Sequence, residues 1–328
     1  MSVNDENKVA TDLPAEDILS DEIEAEDEDV KDAIVTQNEK KYINLYSGRA
    51  LTLDEIYDIT SEDALTTIVL LGPVSCGKTT IETTVYQLFL EKPFAGYSFM
   101  GSQTLLGFEE RSFFTRSKSQ RDKSVTPRTS ISTSELFLHL KLLKDSSVNN
   151  FLFADMSGEK IEEYIANPSA LASNLGFLMA VDNISIILDG EKIIEKFERN
   201  GVLNSAVQLL TTLVNADVCY HDVNLQIIIS KYDIIQEALK SDHTLDEFIE
   251  RIRNTVEIIM KEKANSITFH NVAAMPLNVK NCCIGYGLEE LLDAWSRKNM
   301  TYEPALLTYN HMIKNEFDKL SYKLRETE

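Results

Sequence analysis

The octapeptide Gly72-Pro73-Val74-Ser75-Cys76-Gly77-Lys78-Thr79 constrains this chain more than any other stretch. It stands between an apolar β-type run at residues 66–71 and a helical pattern with Ile81, Val85 and Leu88 on one face. Its glycines let the backbone curl so that successive N–H groups converge on phosphate oxygens at the N-terminus of the following helix. The strand before the loop and the helix after it are the context such a loop requires. Lys78 is then expected to supply a point charge to the outer phosphates, and Thr79 a hydroxyl ligand for Mg²⁺, with Thr80 completing the binding turn. Cys76 reads as a small filler of the loop.

Strands alternate with helices over about 240 residues. A hairpin is expected from residues 135–143 and 151–155, with a turn-like stretch at 145–150 between them. Further β-type runs fall at 184–188, 225–229 and 267–272, and helical patterns at 203–214 and 245–260. Thr244 and Glu247 are spaced as a capping box for the second of these helices. The pattern describes an α/β domain over residues 41–300 with a mostly parallel sheet. A last helix is expected within 301–328, where Leu306, Tyr309, Ile313, Phe317, Leu320 and Leu324 share a stripe after Pro304.

Three strand ends carry further chemistry. Asp155 closes an apolar run, where a carboxylate can hold Mg²⁺ through its water shell, and Gly158 three residues on can offer a backbone N–H to a terminal phosphate. Ser230-Lys231-Tyr232-Asp233 follows the run at 225–229. A carboxylate at Asp233 accepts two hydrogen bonds from the N1–H and exocyclic amine of guanine. Adenine offers no such donor pair. The Lys231 stem would lie over the base plane. At the last strand end, Ala273 and Ala274 are small enough to bring a backbone N–H to the guanine O6.

In this order, on strand ends, these motifs resemble the Ras-like branch of the TRAFAC P-loop GTPases. The resemblance implies a six-stranded sheet with one antiparallel edge strand, residues 135–143, helices on both faces, and nucleotide at the carboxyl ends of the strands. Ser230 stands where that branch usually has Asn or Thr, and Glu159 where it usually carries a water-orienting Gln. The stretch Phe94-Ala-Gly-Tyr-Ser-Phe-Met-Gly-Ser-Gln-Thr-Leu-Leu-Gly-Phe-Glu-Glu-Arg111 is similar to the double-GTPase family of bacterial conflict systems. So are Pro127-Arg128-Thr129 ahead of Leu138-His139-Leu140, Ser47-Gly48-Arg49-Ala50-Leu51 and Ala154-Asp155-Met156-Ser157-Gly158-Glu159. That resemblance implies an NTP-driven switch in a multi-protein assembly, including antiviral ones. A switch threonine just before the edge strand should complete the Mg²⁺ shell. Thr126, Thr129 and Thr133 are in range; the family pattern favours Thr129, and compact-GTPase spacing favours Thr133. Arg128 reads either as an internal arginine finger or as a solvated switch-loop charge.

Charge separates three regions. The chain carries a formal net charge of −21, which argues against non-specific nucleic-acid binding and against docking on an anionic membrane. Residues 1–40 hold 14 Asp or Glu and 3 Lys and no aromatic residue. They are expected to stay disordered, as a solvated tail or a docking arm for a basic partner. Residues 92–134, with 7 basic and 3 acidic residues, form a basic insertion where a protein partner is expected to bind. No signal-like segment, membrane-length apolar run, disulfide framework or zinc spacing is visible, which points to the cytoplasm. The expected function is a slow, Mg²⁺-dependent GTP-hydrolysing switch. The alternatives are a nucleotide-bound scaffold that does not hydrolyse, or an ATPase on the same loop.

Overall fold

A computed structural model describes residues 47–60, 64–113, 136–166, 176–216, 218 and 222–297. Among the described residues, seven strands form one sheet. In chain order they are β1 (Thr66–Leu71), β2 (Ser98–Gly101), β3 (Leu136–Lys144), β4 (Ser147–Asp155), β5 (Asn183–Leu188), β6 (Asn224–Ile229) and β7 (Ser266–Asn271). Across the sheet the order is β2-β3-β4-β1-β5-β6-β7. Only β3 runs against its neighbours; β1 pairs in parallel with β4 and β5, and β6 with β5 and β7.

The helices are α1 (Leu53–Thr60), α2 (Lys78–Leu88), α3 (Leu105–Ser112), α4 (Gly158–Ala166), α5 (Gly190–Ile194), α6 (Arg199–Asn215), α7 (Tyr232–Ala238), α8 (Thr244–Met260) and α9 (Leu288–Trp295). Side chains alternate across each strand. Val69, Leu71, Leu152, Ile186 and Ile227 therefore pack on one side with α1, α4, α6 and α8, while Ile68, Leu70, Phe151, Phe153 and Ile187 pack on the other with α2, α3 and α9. Because both faces are covered, β5 and β6 are buried along their whole length.

The mostly parallel α/β sheet with one antiparallel strand is as expected, with a seventh strand added. β2 pairs with β3 from within the basic insertion, so β3 is not the edge. Four residues of mixed Ser, Phe, Met and Gly carry too little alternation to mark a strand. The β3–β4 turn is only two residues, Asp145 and Ser146, at φ 49° and 65°. Positive φ at both positions suits the twist of a two-residue hairpin. Near the start of α8 the cap also differs. Thr244 is its first helical residue, and Asp242 Oδ1 accepts from both the Thr244 N–H and its hydroxyl. The acidic tail, residues 114–134 of the insertion and the helix expected within 301–328 lie outside the described residues.

A buried polar relay ties α9 to the sheet. Trp295 Nε1 donates to Ser185 Oγ at 2.9 Å, Ser185 donates to Gln226 Oε1, and Gln226 Nε2 donates to Asn183 Oδ1. The Trp295 ring meets Phe153 edge-on at 5.4 Å.

Candidate functional site

The loop after β1 turns through positive φ at Gly72, Ser75 and Gly77 before α2 begins at Lys78. Gly72 has no room for a side chain: a Cβ there would lie 2.7 Å from the Ile187 carbonyl oxygen and 2.8 Å from Cys76 Sγ. Cys76 is fully buried beneath the loop, and burial pushes its thiol pKa up, so it packs as a small apolar group. Lys78 Nζ donates to the carbonyls of Gly72 at 2.7 Å and Pro73 at 2.9 Å. The lysine is thus folded over the loop that contains it. Thr79 and Thr80 occupy the next two positions of α2, both partly buried.

At the end of β4 the chain passes from Asp155 into α4, whose first turn is closed by Ser157 Oγ accepting from the Lys160 N–H. Gly158 opens this helix against the phosphate loop. A Cβ there would lie 2.6 Å from the Val74 nitrogen and 2.9 Å from the Pro73 carbonyl carbon. Glu159 is partly buried in the same turn.

The far half of the site is built by the ends of β5, β6 and β7. Ser230 is buried and donates to the Leu188 carbonyl, joining the β6 end to the β5 end. Lys231 takes a left-handed conformation, φ 51° and ψ 39°, as the cap of α7. Its ammonium lies 2.9 Å from Asp189 Oδ1 and 2.8 Å from Glu191 Oε2. Burial pulls the Lys231 pKa down, but hydrogen bonds to the two carboxylates outweigh it, so the net shift is upward. Asp233 Oδ2 accepts from the Leu277 N–H at 2.8 Å. Ala273 and Ala274 are buried after β7; the Ala273 N–H donates to the Tyr286 carbonyl, and the Ala274 carbonyl accepts from the Gly285 N–H. Tyr286 stacks on Tyr232, with ring centres 6.2 Å apart.

The fold therefore gathers the loop at 72–80, Gly158, Glu159, Ser230, Lys231, Asp233, Ala273 and Ala274 at the carboxyl ends of the parallel strands. Arg128 and Thr129, like Thr126 and Thr133, lie outside the described residues. Sequence reasoning missed Asp189 and Glu191, the partners that hold Lys231. The available signal was an acidic residue at the end of the apolar run 184–188, equivalent in place to Asp155.

A phosphate loop on the central strand of such a sheet, facing a Lys-x-Asp segment two strands away, defines a P-loop nucleotide-binding protein. The model of the family described as Double-GTPase 2 matches residues 66–296, from the first residue of β1 to the residue after α9. The chain belongs to that family and is a P-loop GTP-binding protein. Among solved structures it is similar to the signal recognition particle receptor SRb-GTP/SRX complex from Chaetomium thermophilum, with 16% identity and a TM-score of 0.39, over 71% of this chain and 97% of that one. No curated protein matches. No helix among the described residues is long and apolar enough to cross a membrane.

Proposed function

We propose that this chain is a Mg²⁺-dependent GTP-binding switch that hydrolyses GTP slowly and acts on a protein partner through residues 92–134. The observation that carries this reading is the contact of Gly158 with Val74 and Pro73, where not even a methyl group fits. Whatever the phosphate loop holds must therefore be felt at the start of α4.

The residues present fit a nucleotide. The loop is curled tightly enough at Gly72 to exclude a side chain there. Lys78, held by the Gly72 and Pro73 carbonyls and close to Cys76 Sγ, pairs with no carboxylate among the described residues, leaving its charge for phosphate oxygens. Thr79, Asp155 and Thr129 would hold the metal ion, which when bound neutralises developing phosphate charge. The Gly158 N–H would donate to the terminal phosphate, and Arg128 would add positive charge. Asp233 would read guanine, with Lys231 over the base, Ser230 beneath both halves of the site, and Ala273 and Ala274 leaving room at O6. The family resemblance extends this to regulation of a multi-protein, antiviral assembly.

Glu159 favours a second reading. A carboxylate in the first turn of α4 puts negative charge where an attacking water needs neutral or positive support, which suits a scaffold that keeps its nucleotide. Single-turnover hydrolysis separates the two. The switch reading expects a rate on the order of 10⁻⁴ to 10⁻² s⁻¹, with amide exchange over 92–134 differing between GDP and a non-hydrolysable GTP analogue. No turnover and identical protection would leave the scaffold. Lys78→Ala should abolish most triphosphate affinity with an unchanged circular-dichroism spectrum.

A further inference from the structure

Beside the phosphate loop lies a second concavity, walled in part by Gly72 and Pro73. A cavity of about 540 Å³ opens between α4 and α6 at the carboxyl end of β5. Ile161, Ile186, Val202, Ala206 and Leu209 give it an apolar floor, and Gly72 and Pro73 close the side toward the phosphate loop. Cavities of this size accommodate drug-sized ligands, and an apolar void of about 150 Å³ already holds a benzene ring.

On its rim stands Phe197, 100% exposed, the most exposed large apolar side chain among the described residues. The turn that carries it is firmly held. The Glu198 and Arg199 N–H groups both donate to the Glu195 carbonyl, and Arg199 is pinned by Asp242 at 3.0 Å and by the Ile194 carbonyl. The turn thus holds the Phe197 backbone at the cavity mouth, with its fully exposed ring among the lining residues. Next to it Gly201 lies in the first turns of α6, where a Cβ would meet nothing within 4 Å. Glycine there lowers helix stability without any packing reason inside the chain, and it leaves a flat spot for close approach of another backbone.

A pre-positioned aromatic knob and an apolar hole on the same patch are what a twofold contact between identical surfaces needs, since each copy must offer both halves. We propose that two copies of this chain associate through the α5–α6 turn, the Phe197 ring of each entering the α4–α6 cavity of the other. The rim supports the same pairing. Lys192, Glu162 and Glu198 line the cavity, with Asp189 already paired to Lys231, so a twofold can set the ammonium of one copy between the Glu162 and Glu198 carboxylates of the other. Because Gly72, Pro73 and Ile161 form its walls, the contact would touch both the phosphate loop and α4. Association itself does not depend on the GTP reading.

Sedimentation velocity on the full chain tests this without nucleotide, with GDP and with a non-hydrolysable GTP analogue. A dimer is expected in at least one state below about 100 μM, and Phe197→Ala should weaken it on the order of 100-fold. Ser205→Trp, at an exposed α6 position lining the cavity, should block it to a similar degree while leaving the circular-dichroism spectrum unchanged. Ile258→Ala removes another highly exposed apolar side chain, on α8, and should leave the dimer intact. A monomer in all three states overturns the proposal. So does a dimer indifferent to either Phe197→Ala or Ser205→Trp, or one weakened equally by Ile258→Ala.

Discussion

Lys231 Nζ lies 2.9 Å from Asp189 Oδ1, bridging the ends of β6 and β5. The bond fixes a long flexible side chain that would otherwise lose rotamer freedom on meeting a nucleotide base. Asp189→Ala should therefore weaken guanine-nucleotide binding by roughly 10-fold, with Glu191 retaining part of the hold on Lys231. It should also cost about 1 kcal/mol of stability through the lost α5 cap to the Glu191 N–H. Isothermal titration with GDP measures it. An unchanged affinity would mean that Lys231 is not a base-contacting group.

Asp233→Asn should lower GTP affinity by on the order of 100-fold and admit xanthosine triphosphate, whose carbonyl replaces the amine of guanine. The substituted amide keeps one oxygen, so the Leu277 N–H retains an acceptor and the 275–284 loop should hold its place. Competition binding with GTP, XTP and ATP checks it. If ATP competes as well as GTP against the unaltered chain, the base reader is elsewhere.

Gly158→Ala places a methyl within 2.6 Å of the Val74 nitrogen, a backbone atom that cannot turn aside. The loop or α4 must shift, so hydrolysis should fall by at least about 100-fold with a smaller loss of GDP affinity. Rapid-quench hydrolysis beside GDP titration separates the two effects. Wild-type turnover would remove Gly158 from the site.

His270 supplies a pH dependence. Burial first, and the Arg297 charge second, push its pKa down from 6.5 to about 4; its Nδ1 has no hydrogen-bond partner among the described residues. The unfolded chain takes up a proton as pH falls through 6.5, but the folded chain does so only near 4. Stability from this group is thus full above 6.5 and falls across that window, by at most about 1.4 kcal/mol per pH unit. His270→Leu should flatten that part of the profile of urea midpoints. Equal slopes in both proteins would show that another group titrates there.

Where chemistry is carried by adjacent residues, the sequence is readable. The loop from Gly72 to Thr79 needs its own glycines, lysine and threonine in one order, and the structure sets it between β1 and the start of α2, the strand–loop–helix context that the spacing implies. What depends on approach between distant segments was not readable. Nothing near Gly158 in the chain announces that Val74 will lie against it, and Asp189 gains its role only because β5 and β6 are neighbours. Short elements were also missed. β2 spans four residues and owes its form to pairing with β3, while α1 spans eight, a helical stripe too short to stand out without the β3 surface it packs on.

The relay from Trp295 through Ser185 and Gln226 to Asn183 also bears on how the chain avoids misfolding. Parallel strands as uniformly apolar as β5 and β6 offer many pairings of similar hydrophobic gain. In the native alignment Ser185 faces Gln226 directly, and Asn183 faces Asn224. A shift of β6 by one residue would send Gln226 to the opposite layer and take away the acceptor of the Ser185 hydroxyl and the donor to Asn183 Oδ1, at about 1–3 kcal/mol for each orphaned group. Three polar side chains in an apolar interior thus act as an address, making a sheet that could close in several ways close in one.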